Sequence, residues 1–260
     1  VDALRDFSRK QDGSLFMGLV SLVKVLLHRY TGQNDIIVGS PIAGRDHPDL
    51  ENQVGFYVNS VVLRDRLTSC DSFINVFQKV TQTAKEAYDH RIYPFDRLVD
   101  DLGLDRDMSR PPIFEVMVIL QNLEQQEFEL EGVKVTDFYD EPNISKFSLT
   151  FEFMEDRNGG LTLHLEYNTD LFDPDRMERL SGHLQTLVSR VLEDPAQPIG
   201  TVDLLSEKER TQILHDFNST ATDYPKDKTF ADLFDEHVEN SPGLPSVVCG
   251  ETEWSYADLN

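Results

Sequence analysis

The residues best placed to do chemistry lie between positions 35 and 64, in DIIVGSPIAGRDHPDLENQVGFYVNSVVLR. Asn59 sits inside an apolar run from Val54 to Leu63, and Arg64 closes that run. A buried amide must find hydrogen-bond partners. A guanidinium at the end of such a run must meet a carboxylate, a carbonyl or a ligand. Both residues are therefore candidates either for the wall of a site or for a structural hydrogen-bond network. Arg45 follows Ala43-Gly44 and is expected to fix the intervening turn through a buried ion pair. Asp96 opens a helix, where a carboxylate also favours the helix dipole. The stretch DRDMSRPP, 105 to 112, carries Arg106 and Arg110 on a charged loop stiffened by prolines. Glu152 and Glu166 are read as a cross-strand pair or as part of a polar face. His164 is read as an outward-facing surface residue.

Other chemistries are excluded by what is missing. No G-x-S-x-G elbow occurs, and neither a P-loop nor a zinc spacing is present. The two cysteines, Cys70 and Cys249, are too far apart in sequence for a metal motif and allow at most one bridge. A reduced, cytoplasmic compartment is the simple expectation. Nothing supports two carboxylates acting as an acid–base couple.

The elements that must position these residues follow from periodicity and punctuation. Residues 2 to 11 form a short helix with Leu4 and Phe7 on one face. Ser14 caps a well-buried helix that runs to Thr31 and stops at Gly32. Asp35 to Gly39 is a short buried strand, Pro41 to Arg45 a turn, and Val54 to Leu63 a second strand. Ser72 to Arg91 spaces Phe73, Val76, Phe77, Val80, Ala84, Ala87 and Tyr88 as an amphipathic helix. Pro94 begins another, which Gly103 stops. Phe114 to Gln121 reads as a central strand. A tight hairpin is expected around Glu131-Gly132, between Phe128–Leu130 and Val133–Phe138. A second hairpin joins 147–153 to 161–167 through Asn158-Gly159-Gly160. Asp173-Pro174 caps a long helix reaching about Glu193.

After residue 195 the composition shifts. A short charged helix from Glu207 to Phe217 precedes a linker, NSTATDYPKDK, and Thr229 then caps a helix running to Asn240. The strand Ser246–Cys249 follows, with a turn into another. This last piece is too small to fold alone. The chain is expected to be a piece of a longer polypeptide. Its net charge of −23 over 260 residues argues against nucleic acid and anionic membrane partners, which need a basic footprint. The apolar stretch Phe16 to Leu27 contains Lys24 and Ser21 and is too short to span a bilayer.

Taken together, the motifs resemble the condensation domain of non-ribosomal peptide synthetases. The resemblance runs through YTGQND (30–35), GSPIAGR (39–45), VGFYVNS (54–60) with Arg64, and HRIYPFDRLV (90–99). It continues through RDMSR (106–110) with Pro112-Ile113-Phe114, and through YNTDLF (167–172). The tail, with TFADLF (229–234) and WSYADLN (254–260), resembles the start of an adenylation domain. Departures from the family pattern are Tyr57 for phenylalanine, Ser60 for threonine, Arg91-Ile92 for a Gln-Asp pair and Pro111 for asparagine. Ser148 stands where aspartate is common, so no role is carried to it.

The resemblance implies an α/β (α+β) chloramphenicol-acetyltransferase-like lobe with a mixed sheet packed by helices. It divides the chain into 1–205 as the C-terminal lobe, 206–228 as linker and 229–260 as the incomplete start of an adenylation domain. In this family two such lobes enclose a tunnel. Donor and acceptor carrier domains deliver 4'-phosphopantetheine thioesters into it, and no cofactor binds the lobe directly. Asn59, Arg64, Arg45, Tyr57, Asp96, Arg106 and Arg110 are then candidates for lining the tunnel or bracing its wall. The family's HHxxxDG motif has no match: none of the seven histidines has a histidine neighbour. Catalytic residues are therefore expected in an N-terminal lobe, and this piece is expected to be inactive alone. The alternatives are a docking platform for carrier and adenylation domains, or an epimerisation or heterocyclisation relative.

Overall fold

The computed structural model describes residues 1–45, 47–51, 53–104, 110–121, 144–156 and 159–260. The hairpin expected around Glu131-Gly132, and Arg106, lie outside the described residues. The chain divides into two units, Val1–Glu207 and Lys208–Asn260.

The first unit begins with helices α1 (Asp2–Lys10) and α2 (Leu15–Thr31). The Ser14 side chain caps α2 by accepting from the Met17 N–H, and Gly32 ends it at φ 68°. Strand β1 (Asp35–Ile42), a short helix α3 (Pro48–Glu51) and strand β2 (Asn59–Arg66) follow. Helix α4 (Phe73–Asp89), capped by Ser72, leads to α5 (Phe95–Asp101). Then come β3 (Val116–Gln121), β4 (Leu149–Glu155), β5 (Leu161–Tyr167) and the long helix α6 (Pro174–Glu193).

The five strands form one mixed sheet in the order β2-β1-β3-β4-β5, with β3 central as expected. The β1–β2 and β4–β5 pairs are antiparallel, whereas β1–β3 and β3–β4 are parallel. Strand β2 buries Val61, Leu63 and Asp65 on one face and exposes Arg64 and Arg66 on the other. The buried side chains of β1, β2 and β4 share one continuous hydrophobic core with α1, α2, α4 and α6. Phe73, Phe77, Leu22, Leu26 and Leu187 lie at its centre. Each such side chain contributes roughly 1.5–3 kcal/mol on removal from water. This is the α+β architecture expected from the sequence.

Four expectations need correction. Strand β1 does not stop at Gly39 but continues through Pro41-Ile42, paired with Ser60 and Asn59. Its only register pair with β3 is Gly39 with Met117, so Pro41 has one bonded neighbour strand and is tolerated. Residues 54–58 are not strand, and Val54 and Phe56 are almost fully exposed. The cause lies across the ladder: β1 ends at Ile42 and Gly44 turns away at φ 63°, so 54–58 have no backbone to pair with. His164 is half-buried rather than on the surface, and faces Glu152 across the β4–β5 ladder. Glu152 and Glu166 are therefore not opposite each other: Glu166 faces Thr150.

Among the described residues, one charged pair lies deep in the first unit. Lys24 of α2 is fully buried, and its ammonium donates to the Asp65 carboxylate and, at 3.0 Å, to the Leu63 carbonyl. Thr83 of α4 donates to the second Asp65 oxygen at 2.6 Å. Burial pushes the Lys24 pKa down, against the pull of Asp65.

In the second unit, α7 (Glu207–Thr211) runs into a π-turn at Gln212–Asp216. Thr229 caps α8 (Phe230–Asn240), and a two-stranded hairpin, β6 (Pro245–Cys249) with β7 (Thr252–Ser255), leads into α9 (Tyr256–Leu259). No residue of α8, β6, β7 or α9 is buried. Among the described residues, no helix is long and apolar enough to cross a membrane.

Candidate functional site

Two clefts open where β1 and β3 run out at their carboxyl ends. The larger, about 640 Å³, lies between Ser40–Ile42 and Ile119–Gln121, and Phe16, Tyr88 and Arg91 reach it from the helices. The second, about 550 Å³, is bounded by Tyr57, Asn59, Ile92 and Asp96. Gly44, Val58 and Arg91 belong to both. A third hollow, about 540 Å³, lies at the opposite, amino ends of β1, β3 and β4. Ile113 lines it at φ 70°, in a γ-turn closed by the Phe114 N–H donating to the Pro112 carbonyl at 2.9 Å. A β-branched residue in that region holds strain of roughly 1–3 kcal/mol.

Asn59 begins β2, at the rim of the second cleft. Its amide nitrogen donates to the carbonyls of Arg91, at 2.9 Å, and Tyr93, at 2.8 Å, and its oxygen accepts from the Phe95 N–H at 3.1 Å. Both amide hydrogens are thereby spent on the connector between α4 and α5. The expected partners exist, and they are backbone groups. Arg91 in turn donates from Nη1 to the Tyr88 carbonyl at 2.8 Å, which fixes the last turn of α4.

Arg45 does fix its turn, but among the described residues it does so without an ion pair, and from a half-buried position. Its guanidinium donates to the carbonyls of Leu50, Gln53 and Gly55 and lies 4.4 Å over the Tyr57 ring. The carbonyls of Leu50, Gln53 and Gly55 and the Tyr57 ring are thus gathered around one cation. Three carbonyl oxygens take three of the five guanidinium N–H groups, and these bonds hold the turn without a carboxylate. Tyr57 completes the loop by donating to Gln53 Oε1 at 2.8 Å. A β-carbon at Gly44 would lie 2.0 Å from the Tyr57 carbonyl oxygen, so this approach requires glycine.

Arg64 stands apart from both clefts. It makes a two-pronged contact with Asp35, with Nε at 3.0 Å and Nη2 at 2.7 Å, on the exposed face of the sheet. The Arg64 hydrogen bond holds the Asp35 carboxyl below its usual pKa. Five residues of strand separate Arg64 from Asn59, roughly 17 Å at the rise of a β-strand. Asp96 lies exposed in the first turn of α5, at the second cleft. Arg110 is exposed and 3.6 Å from Glu115, which also accepts from the Ser148 hydroxyl at 3.1 Å.

The structure therefore brings Asn59, Arg45, Tyr57 and Asp96 to one end of the sheet and leaves Arg64 and Arg110 elsewhere. It adds Ser40, Tyr88, Phe16 and Arg91, which the sequence reading did not single out. Tyr88 counted there only as part of an apolar stripe; a phenol in such a stripe signals a polar tip that needs a partner. Among the described residues no group of three metal-ligating side chains occurs. The clefts offer walls, cations and hydrogen-bond donors. Such groups orient a substrate and stabilise developing negative charge.

A family model for the condensation domain matches residues 1–214. The chain is 40% identical over 260 residues to gramicidin S synthase 2 of Brevibacillus brevis, covering 100% of this chain and 6% of that protein. It is 39% identical over 260 residues to tyrocidine synthase 3 of Brevibacillus parabrevis, covering 4% of that protein. The chain thus spans only a small part of the synthetases it matches. Among solved structures, holo-AB3403, a four-domain nonribosomal peptide synthetase bound to AMP and glycine, superposes with a TM-score of 0.79 at 21% identity. That match covers 99% of this chain and 20% of the other. The X-domain from teicoplanin biosynthesis matches with a TM-score of 0.72 at 23% identity, over 78% of this chain and 47% of that one. With the family match spanning the whole five-stranded sheet and both of its carboxyl-end clefts, the chain belongs to the condensation-domain family.

Proposed function

We propose that residues 1–205 are the C-terminal lobe of a condensation domain in a cytoplasmic non-ribosomal peptide synthetase. Residues 206–228 then act as linker and 229–260 begin an adenylation domain. The two carboxyl-end clefts form one wall of a tunnel that an N-terminal lobe completes. Donor and acceptor carrier domains insert 4'-phosphopantetheine thioesters from its mouths. The acceptor amine nitrogen attacks the donor thioester carbonyl carbon, the C–N bond forms and the C–S bond breaks. The thiol leaves, taking up in net the proton that the amine gives up. Asn59, Arg45 and Tyr57 brace the wall, and any general base comes from the opposing lobe.

The observation that carries this reading is the makeup of the clefts. They combine apolar walls with donors held in place by a satisfied backbone network, and their ionisable lining groups are Arg45, Tyr57, Tyr88, Arg91 and Asp96. The exposed apolar residues Val54, Phe56 and Ile92 at the same end are surface that an opposing lobe would cover. The test is Ala43→Trp in the intact synthetase. Ala43 is exposed and lines the larger cleft, so an indole there fills the passage without disturbing the core. Peptide-bond formation should fall by at least about a hundredfold, with amino-acid adenylation unchanged. Unimpaired condensation would overturn the reading.

A further inference from the structure

Tyr88 stands on the last turn of α4, half-buried, with its ring against the hydrophobic core and its side chain lining the larger cleft. Its hydroxyl meets no hydrogen-bond partner among the described residues. Three other tyrosines of this unit do have one: Tyr30 meets His183 at 2.5 Å, Tyr57 donates to Gln53, and Tyr93 donates to Asp101. Phenols in such settings usually find a partner. Burial also pushes the Tyr88 pKa up, which keeps the hydroxyl protonated and able to donate at neutral pH.

Its position is enforced from two sides. Arg91 donates to the Tyr88 carbonyl, and Asn59 donates to the Arg91 carbonyl, so the head of β2 sets where the end of α4 lies. Ser40, on β1, is 3% exposed and lines the same cleft, and its hydroxyl too has no partner among the described residues. The rest of the wall combines the apolar Phe16, Ile42 and Leu120 with the polar Arg45, Arg91 and Gln121. Hydroxyl donors without a partner, set among aliphatic and aromatic wall residues, suit a ligand with aliphatic stretches that carries carbonyl oxygens at intervals.

We propose that Tyr88 is a substrate-facing residue whose hydroxyl donates to a carbonyl oxygen of the carrier-borne chain. This rests on the tunnel reading above. The acceptor oxygen belongs either to an amide of the pantetheine arm or to the acyl group itself, and both offer the same hydrogen-bond chemistry.

The test is Tyr88→Phe in the intact synthetase, assayed by condensation of a carrier-bound donor with soluble acceptor thioesters. The ring packing is retained, so the melting temperature should not change. Loss of one hydrogen bond should lower kcat/KM about tenfold. With an acceptor thioester that lacks amides, the penalty vanishes if the arm supplies the oxygen and persists if the acyl group does. Either result supports the proposal, and loss of the penalty identifies the acceptor's arm as the partner. Unchanged kcat/KM in Tyr88→Phe, with condensation blocked in Ala43→Trp, would overturn the Tyr88 role and leave the tunnel intact. A fall in activity that merely tracks a lowered melting temperature would also overturn it. Failure of Ala43→Trp to block condensation would remove the tunnel reading and this proposal together.

Discussion

Replacing Asn59 by aspartate changes one NH2 group to an oxygen and keeps the shape, yet it should be more damaging than truncation to alanine. The Asn59 amide makes three hydrogen bonds to the α4–α5 connector. At about 0.5–1.5 kcal/mol net each, and with water able to reach a half-exposed side chain, Asn59→Ala should lose about 2 kcal/mol. For a unit of this size that lowers the melting temperature by about 4–8 °C. In Asn59→Asp the oxygen still accepts from the Phe95 N–H. The second carboxylate oxygen, however, confronts the Arg91 and Tyr93 carbonyls across 2.9 and 2.8 Å. Repulsion there should add about 1 kcal/mol to the loss. It should also raise the pKa of the introduced carboxyl above the ordinary aspartate value of about 3.9. With a raised folded-state pKa, the folded state binds the proton more tightly than the unfolded one. The added penalty is then full at neutral pH and shrinks as pH falls through that raised value, because a protonated carboxyl can donate to one carbonyl. Thermal melts of both variants between pH 4 and pH 7, with hydrogen exchange at the Phe95 amide, read this directly. Equal stabilities for the two variants at neutral pH, with Phe95 exchange unchanged from the wild type, would refute the account of Asn59 as the clamp on the connector.

Breaking the buried pair with Lys24→Met should cost about 3–5 kcal/mol, because it strands the Asp65 carboxylate. The double variant Lys24→Met/Asp65→Leu should recover most of that loss; urea denaturation of both tests this, and no recovery would show the two residues to be uncoupled. Gly39→Ala places a β-carbon 2.1 Å from the Phe114 ring, which is itself stacked on Phe147 and tilted against Phe95, with centroids 5.5 Å from each. It should destabilise by about 3 kcal/mol, and Gly39→Ala/Phe114→Leu should restore part of this in the same denaturation assay. Asp35→Asn should leave the acid limb of the stability curve shallower. The Asp35 carboxyl is held below 3.8 by the Arg64 hydrogen bond, so its contribution is present above that value and lost as pH falls through the depressed pKa. Melts of wild type and variant should therefore converge toward low pH.

The elements that local chemistry alone specifies were legible in the sequence. Ser14 and Ser72 cap their helices, as their place before apolar periodic stretches indicates. The Gly159-Gly160 turn and the alternation on either side of it give the β4–β5 hairpin. Elements that depend on a neighbour were not legible. Val54 to Val58 have the composition of a strand but lack a partner, because β1 ends at Ile42 across the ladder. Pro41 has the composition of a breaker but sits where the ladder tolerates it. Lys24 was visible as a charge in an apolar helix, a signal that it must be paired. Only the fold names Asp65 as the partner.

The same distinction governs the site. The polar residues that stand out in the sequence, Asn59 and Arg45, have hydrogen-bonding groups that match the local backbone, and they are consumed by it. Arg64 is taken up by Asp35 on the far side of the sheet. Donors still free to meet a substrate must be ones the backbone does not claim. Such residues look ordinary in sequence: a serine in a strand and a tyrosine at the end of an apolar stripe. Ser40 and Tyr88 fit that description, and both face the larger cleft. The braced residues hold α4 where its last turn brings Tyr88 to the cleft, so if Tyr88 meets the substrate as proposed, Asn59→Ala should weaken binding by displacing a side chain it never touches. Combining Asn59→Ala with Tyr88→Phe separates this from an independent role. If Asn59 acts through Tyr88, the double variant should bind the acceptor no more weakly than Tyr88→Phe alone, whereas independent roles give multiplicative losses.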